Sequence, residues 1–89
     1  MKKIVTVTEV EGEGLEALLG ARVLLMCANY FYWGDLTGVN SDCVLLDDAH
    51  IVYETGPWTE KTFKDAQRIG DGHYVMKGFI ESFRCAPCK

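Results

Sequence analysis

The stretch "CANYFYWGDL", residues 27–36, carries four aromatic side chains in a row between an asparagine and a glycine. Successive side chains of a β-strand point to opposite faces of its sheet. A strand through this stretch therefore places Tyr30 and Tyr32 on one face and Phe31 and Trp33 on the other. One face of a short strand does not need so much ring surface, so the sequence predicts that a second surface covers the surplus.

Strand patterns continue on both sides of this stretch. Residues 22–28, "RVLLMCA", are apolar at alternate positions of both faces, which is typical of a strand that is covered on both sides or paired with another subunit. Residues 31–39 form the second predicted strand, in which Gly34 and Gly38 indicate bends, bulges or a close backbone approach. After the turn "NSD", residues 43–56 supply a third strand, interrupted at "DDAH".

The N-terminal part predicts one further strand and one helix. Residues 1–10 contain the β-branched run "IVTVTEV" and are predicted to form an extra N-terminal strand. Leu15, Leu18 and Leu19 follow the spacing of an amphipathic helix, and Gly20 caps its C-terminal end. This helix has under two turns, so tertiary packing must hold it in place.

The second half departs from the strand pattern before it returns to it. Thr59 is a suitable N-cap for a helix over residues 60–68, and the following "GDG" ends that helix. Residues 53–73 are therefore interpreted as an insertion. Two short strands, 73–77 and 79–83, come next, and a Lys-Gly pair separates them. Residues 84–89 are a tail.

Length and composition predict a single domain, 1–89, that buries some of its apolar surface against other molecules. The chain has 89 residues, of which 48% are hydrophobic and 25% charged, with a net charge of -4. A domain of this size has a thin core, so excess apolar surface favours oligomerisation. The acidic balance argues against a default role in nucleic-acid binding. No apolar run is long enough to cross a membrane, and we expect a cytoplasmic protein with reduced thiols.

The order of elements resembles the Sm-like family of small five-stranded barrels, which includes the eukaryotic Sm proteins and bacterial Hfq. "LEALLGARVLLMC" is similar to the family's entry from its helix into the first strand. "YWGDLTGVNSDCVLLDDA" is similar to the first Sm motif, and "VMKGFIESF" to the second, with Lys77-Gly78 in place of the usual basic pair. The similarity covers residues 15–52 and 74–83.

The resemblance implies a mainly β fold. We expect a strongly bent antiparallel barrel of five strands, with the short N-terminal helix, the extra N-terminal strand and the inserted helix between strands 3 and 4. Tyr32 stands two residues before Gly34, where the family places a core-facing aromatic, so Phe31 and Trp33 are expected to point away from the core. Another segment or a neighbouring subunit is then expected to bury this second pair.

The resemblance also implies a function and a partner. Sm-like proteins assemble into rings, so strand 73–77 is expected to pair with strand 79–83 of the next copy. The chain is thus interpreted as a homo-oligomeric ring that acts as a binding or scaffold module, with no catalysis and no cofactor. No nucleophile triad, glycine-rich phosphate loop or paired-carboxylate helix is found in the sequence.

An Hfq-like RNA-binding protein is the first alternative. By resemblance, its site consists of the loop Asn40, Ser41 and Asp42 together with Lys77 and Gly78. Asp42 stands where Hfq-like proteins carry an aromatic residue that stacks on a base. A carboxylate at that position repels phosphate and offers no stacking face, which weakens the RNA interpretation.

A ring that binds a small nucleotide or another planar ligand is the second alternative. Tyr30, Phe31, Trp33 and Trp58 are its candidate residues, as a ligand or partner patch; the competing interpretation is that Trp58 only anchors the inserted helix.

The pair Cys85 and Cys88 has the spacing of a metal or redox site. It lies in the tail, however, away from any helix start and without further ligands at metal-site spacing. An undecorated tail with no bound metal is therefore favoured.

Overall fold

A computed structural model describes residues 14–87, and it shows a mainly β protein. All strand pairs are antiparallel. The strands are β1 (Arg22–Cys27), β2 (Phe31–Val39), β3 (Cys43–Glu54), β4 (Asp65–Gly70), β5 (His73–Met76) and β6 (Ile80–Cys85). One turn of 3₁₀-helix, Glu16–Leu18, precedes β1, and another, Lys77–Phe79, separates β5 from β6. No helix among the described residues is long and apolar enough to cross a membrane.

The longest strand, β3, organises the sheet. The strands lie in the order β4-β3-β2-β1-β6, and β5 pairs with β3 outside this path. One edge of β3 pairs with β2. The opposite edge pairs with β5 along the first four residues of β3, from Cys43 to Leu46, and with β4 from Ala49 onward. β4 and β5 thus follow each other along one edge of a single long strand.

A bend in β3 makes this sharing possible. Asp48 has a φ of 47°, which lies in the left-handed region that Asp tolerates better than most residues. The β4–β5 turn is fastened at the same point, because the Asp48 N–H donates to Asp71 Oδ1 at 2.8 Å and the Gly72 N–H donates to Asp47 Oδ1 at 2.9 Å. The predicted interruption at "DDAH" is therefore a bend within one continuous strand.

Gly34 of β2 faces this bend. A Cβ atom built on Gly34 would lie 3.0 Å from Ala49 Cα and 3.0 Å from the Asp47 carbonyl oxygen. The β2–β3 register shifts between Trp33 and Asp35 at the same place. The prediction that Gly34 marks a close backbone approach in a bent strand is confirmed.

The core lies on one face of the bent sheet. Its buried members are Val23, Leu25, Cys27, Leu36, Val44, Leu46, Ala49 and Val75, and Leu15, Leu18 and Tyr32 pack against them. Leu24 alternates with two of these core residues and is nevertheless fully buried. The prediction that β1 is covered on both faces is therefore confirmed for Leu24.

The predicted N-terminal helix is wrong. The structure has only the 3₁₀ turn Glu16–Leu18, after which Gly20 takes a φ of +88° and donates its N–H to the Leu36 carbonyl oxygen at 2.8 Å. So short a segment gains too few internal hydrogen bonds to form an α-helix. Leu15 and Leu18 still pack on the core, as their apolar character predicts.

The predicted helix over residues 60–68 is also wrong. The Glu60 N–H donates to the Pro57 carbonyl oxygen in a turn, and the chain then enters β4 at Asp65. The reason is tertiary: the second half of β3 has an edge that needs backbone partners, and β4 supplies them. The insertion thus contributes an additional strand to the sheet.

Two further fold predictions have different outcomes. The extra strand over residues 1–10 lies outside the described residues. The predicted five-stranded barrel is not found, because the sheet has six strands and does not close: over residues 14–87, β5 pairs only with β3 and β6 pairs only with β1.

Candidate binding surface at the open ends of the sheet

The two unclosed ends of the sheet expose large apolar side chains. β4 and β5, which pair with successive parts of the same edge of β3, form one end, and β6 forms the other; the 3₁₀ turn Lys77–Phe79 connects β5 to β6. The exposed fractions are 62% for Tyr74, 52% for Met76, 68% for Phe79 and 38% for Phe83. Exposed apolar side chains that cluster beside open strand edges are typical of an interaction surface.

Phe83 shows why the open end of β6 lacks cover. Its register partner on β1 is Leu25, a fully buried core residue, so both side chains lie on the same face of the sheet. Leu25 has strands on both sides, whereas β6 has a neighbour only on the β1 side among the described residues. Phe83 therefore lies on the same face of the sheet as the core residue Leu25, but no strand covers its outer side within residues 14–87, and it is exposed to solvent.

A groove lies between β5 and the β1–β2 turn. It has a volume of about 340 Å³, and one wall is the β1–β2 turn while the other is β5 with the start of the following turn. Its lining includes five rings: Tyr30, Tyr32, His73, Tyr74 and Phe79. The Tyr32 and His73 rings lie 5.2 Å apart at an interplanar angle of 32°.

Within residues 14–87, no Asp, Glu, Lys or Arg side chain lines this groove; the remaining lining residues are Cys27, Ala28, Asn29, Val75 and Met76. Burial raises the pKa of the Cys27 thiol, and the carboxylate of Glu81 raises it further. Burial also raises the pKa of the Tyr32 phenol, with smaller contributions from Cys27 and Tyr30. Both groups are therefore neutral near pH 7, and no Asp, Glu, Lys or Arg among the described residues adds a charge to the groove.

The structure brings together the residues predicted to bind RNA. The Lys77 N–H donates to the Asp42 carbonyl oxygen at 2.8 Å, so the β2–β3 turn touches the turn after β5. Asn40 Oδ1 accepts from the N–H groups of Asp42 and Cys43, both at 2.8 Å. That oxygen is therefore engaged within its own turn. Ser41 and Gly78 are exposed on the same two turns, and RNA binding itself stays a prediction.

The predicted aromatic patch separates into different surroundings. Tyr30 lines the groove and meets Tyr53 edge-on at 5.3 Å. Phe31 is half-buried on the opposite face of β2, and Trp58 is exposed in the segment after β3. Tyr30 and Trp33 therefore lie in different surroundings, and ligand binding by the four predicted residues stays a prediction.

Other residues cover Trp33, as the sequence predicts for the face of β2 that points away from the core. Phe63, from the segment between β3 and β4, meets its ring at 5.2 Å, and the Arg22 guanidinium lies 4.6 Å from the ring centroid. The indole Nε1 donates to the Ala86 carbonyl oxygen at 2.7 Å. Trp33 therefore ties the chain after β6 to the outer face of the sheet.

A cluster of charged side chains surrounds Asp48 at the bend. Arg68 Nε donates to Asp48 Oδ1 at 2.7 Å, and Arg22 Nη2 donates to Oδ2. These bonds, that of Arg68 above all, hold the pKa of the Asp48 carboxyl below its usual range. Arg22 also pairs with Asp35 at 3.2 Å. The cluster fastens β1, β3 and β4 to one another.

The described residues contain no group of three or more His, Cys, Asp or Glu side chains that could hold a metal ion. Cys85 is exposed at the end of β6, and its predicted partner Cys88 lies outside the described part of the chain.

The sequence does not predict this groove as a binding site, although Tyr30 is one of the residues of the predicted patch. The resemblance assigns Tyr32 to the core, and it interprets residues 73–77 only as a strand that pairs with a neighbour. The available signal is the alternation in residues 73–76, where only Val75 is buried and Tyr74 and Met76 are exposed.

No protein-family model, curated protein or solved structure matches this chain.

Proposed function

We propose that this chain is a homo-oligomeric, ring-forming binding or scaffold module of the Sm-like type, with no catalysis of its own. The observation that carries the proposal is the pair of open sheet ends, each with an edge that has no strand partner within residues 14–87 and with exposed apolar side chains. A single copy leaves this surface in water, and a second copy supplies a complementary one.

The two ends complement each other in backbone and in side chains. β5 provides four residues and β6 provides six, so the edge of β5 in one copy can pair with the edge of β6 in the next. Tyr74 and Met76 of one copy then lie near Phe83 of the other. Such contacts are heterologous, because two different surfaces meet, and they form a ring when the rotation between copies closes. Pairing also removes two edges that favour aggregation.

Two local features support the Sm-like interpretation. Gly34, from the segment similar to the first Sm motif, lies at the tight bend between β2 and β3. Lys77-Gly78, from the segment similar to the second motif, lies in the 3₁₀ turn that separates β5 from β6. Each motif glycine thus occurs where the chain changes direction.

Multi-angle light scattering after size-exclusion chromatography tests this assembly with a matched pair of variants. Tyr74→Glu adds a carboxylate to the exposed face of β5, and we expect the assembly to dissociate to the 10.0 kDa single chain. Ile69→Glu makes the same change at an exposed position of β4, outside the proposed interface, and the assembly is expected to persist. Retention of the wild-type mass by folded Tyr74→Glu would refute the role of β5.

RNA binding is a second candidate function, favoured by the contact between the Asn40–Asp42 turn and Lys77. Lys77→Ala should weaken binding to U-rich RNA. The slope of log affinity against log salt concentration should become shallower by about 0.7 for each phosphate that the variant no longer neutralises. Lys64→Ala is the control, because Lys64 pairs with Glu54 on another part of the sheet. Failure to bind U-rich or A-rich RNA at low salt would exclude this function.

A further inference from the structure

The groove shares β5 with the proposed assembly, but its other wall comes from elements that form no open end of the described sheet. Cys27, Asn29, Tyr30 and Tyr32 come from β1, the β1–β2 turn and β2, none of which forms an open end of the described sheet. β5 contributes the opposite wall through the residues from His73 to Met76. A molecule in the groove would therefore contact both the turn and β5 within one copy.

The size of the groove limits what it can hold. Its volume of about 340 Å³ lies at the lower end of the range of roughly 300–1,000 Å³ that is typical of small-molecule sites. A molecule with a single ring or with two fused rings fits this volume, whereas a folded peptide segment is too large for it. Ring faces are the main apolar surfaces available, since Tyr30, Tyr74 and Phe79 stand partly exposed around the opening.

The lining residues favour an uncharged ligand over an ion. The described lining contains no Asp, Glu, Lys or Arg, so an ion would lose hydration there without gaining a permanently charged partner of opposite sign. Burial keeps the Cys27 thiol and the Tyr32 phenol neutral. Polar groups are nevertheless present, because tyrosine hydroxyls, the His73 imidazole and the Asn29 amide can make hydrogen bonds.

We infer that this groove is a binding site for a small, uncharged heteroaromatic molecule. Its rings stack or meet edge-on with those of Tyr30, Tyr32 and Tyr74. The heteroatoms at its edge exchange hydrogen bonds with His73 and Asn29. The inference goes beyond the proposed assembly and does not depend on it, because one copy supplies the whole lining.

Saturation-transfer NMR with the full chain tests the site. The probes are caffeine and indole, which are planar and neutral, compared with cyclohexanol, which is apolar but not flat, and benzoate, which is flat but charged. We expect transfer to caffeine or indole at about 1 mM, and at least roughly tenfold weaker binding of the other two. Equal transfer to cyclohexanol, or none to either planar probe, would overturn the inference. Absence of transfer to both planar probes is also the result expected if a neighbouring copy fills the groove.

A matched pair of tyrosine variants locates the binding. Tyr30 and Tyr53 contact each other, but only Tyr30 lines the groove. Tyr30→Ser should weaken binding of the planar probe about tenfold, and Tyr53→Ser should change it less than about twofold. Light scattering on Tyr30→Ser should give the wild-type mass, which separates loss of the site from loss of assembly. Equal effects of both variants on probe binding would refute the assignment to the groove.

Discussion

Replacing Gly34 by alanine should destabilise the fold substantially. The added Cβ would lie 3.0 Å from Ala49 Cα, 3.0 Å from the Asp47 carbonyl oxygen and 3.4 Å from that of Asp48. All three atoms belong to the backbone, so none can rotate away as a side chain would. The strand β3 must shift at the bend that the charged cluster and the β4–β5 turn hold in place.

The magnitude follows from two opposing effects. Forcing an extra methyl group into a packed region costs about 1–3 kcal/mol. Alanine also restricts the unfolded chain, which returns about 0.4–1 kcal/mol to the folded state. Since the obstacles at Gly34 are backbone atoms, we expect a net loss of about 2 kcal/mol in the free energy of unfolding, or a fall in Tm of roughly 8–16 °C.

Urea unfolding followed by circular dichroism measures this loss, at one protein concentration because the proposed assembly would contribute to apparent stability. Gly78→Ala is the control, since a Cβ at Gly78 meets no atom within 4 Å and its backbone has no positive φ. Its stability should equal or slightly exceed that of the wild type. A Gly34→Ala variant within about 0.5 kcal/mol of the wild type would refute the close approach of β2 and β3.

Two further predictions concern the outer face and the bend. Trp33→Phe removes the hydrogen bond to the buried Ala86 carbonyl group, so unfolding in urea should show a loss of about 1–3 kcal/mol; an unchanged midpoint would contradict the role of this bond. Asp48→Asn removes the carboxylate that Arg68 and Arg22 hold. Because the folded pKa of Asp48 is lowered, its stabilisation is present above about pH 4 and is lost as the pH falls through the folded value. The gap between wild type and variant should therefore narrow in acid, and a constant gap from about pH 7 to about pH 2.5 would refute this linkage.

The strands that carry regular apolar alternation were predictable from the sequence. The predicted strands 22–28 and 31–39 agree closely with β1 and β2, and β3 begins at Cys43 as expected. These segments have local signals that agree with their tertiary surroundings, namely alternation, β-branched residues and turn-forming "NSD". Gly34 was predictable as well, because a glycine inside an apolar strand indicates a close approach.

The segment between β3 and β5 was not predictable in the same way. "TEKTFKDAQR" has a good helix N-cap and several helix-favouring side chains, yet Asp65–Gly70 is a strand. The free edge of β3 decides the structure of this segment, because β4 supplies its backbone partners. The local sequence of the segment carries no signal of that edge. Intrinsic propensity is a small term compared with backbone pairing and burial.

The candidate surfaces also differ in whether the sequence predicts them. The meeting of the Asn40–Asp42 turn with Lys77 was expected from the resemblance, and the structure contains it. The groove was not expected, because Tyr30 and His73 are brought together by the fold although they are distant in sequence. The division of the aromatic residues 30–33 between two faces was predictable, since Tyr32 packs against the core and Trp33 contacts Phe63 on the other face.

The native mass of the wild-type protein is the measurement that tests the central proposal most directly. Native mass spectrometry reports how many 10.0 kDa chains associate. The proposed pairing of β5 with β6 of the next copy predicts one closed assembly of several chains and no ladder of intermediate sizes. A single species at the mass of one chain, at concentrations where the protein is fully folded, would contradict it.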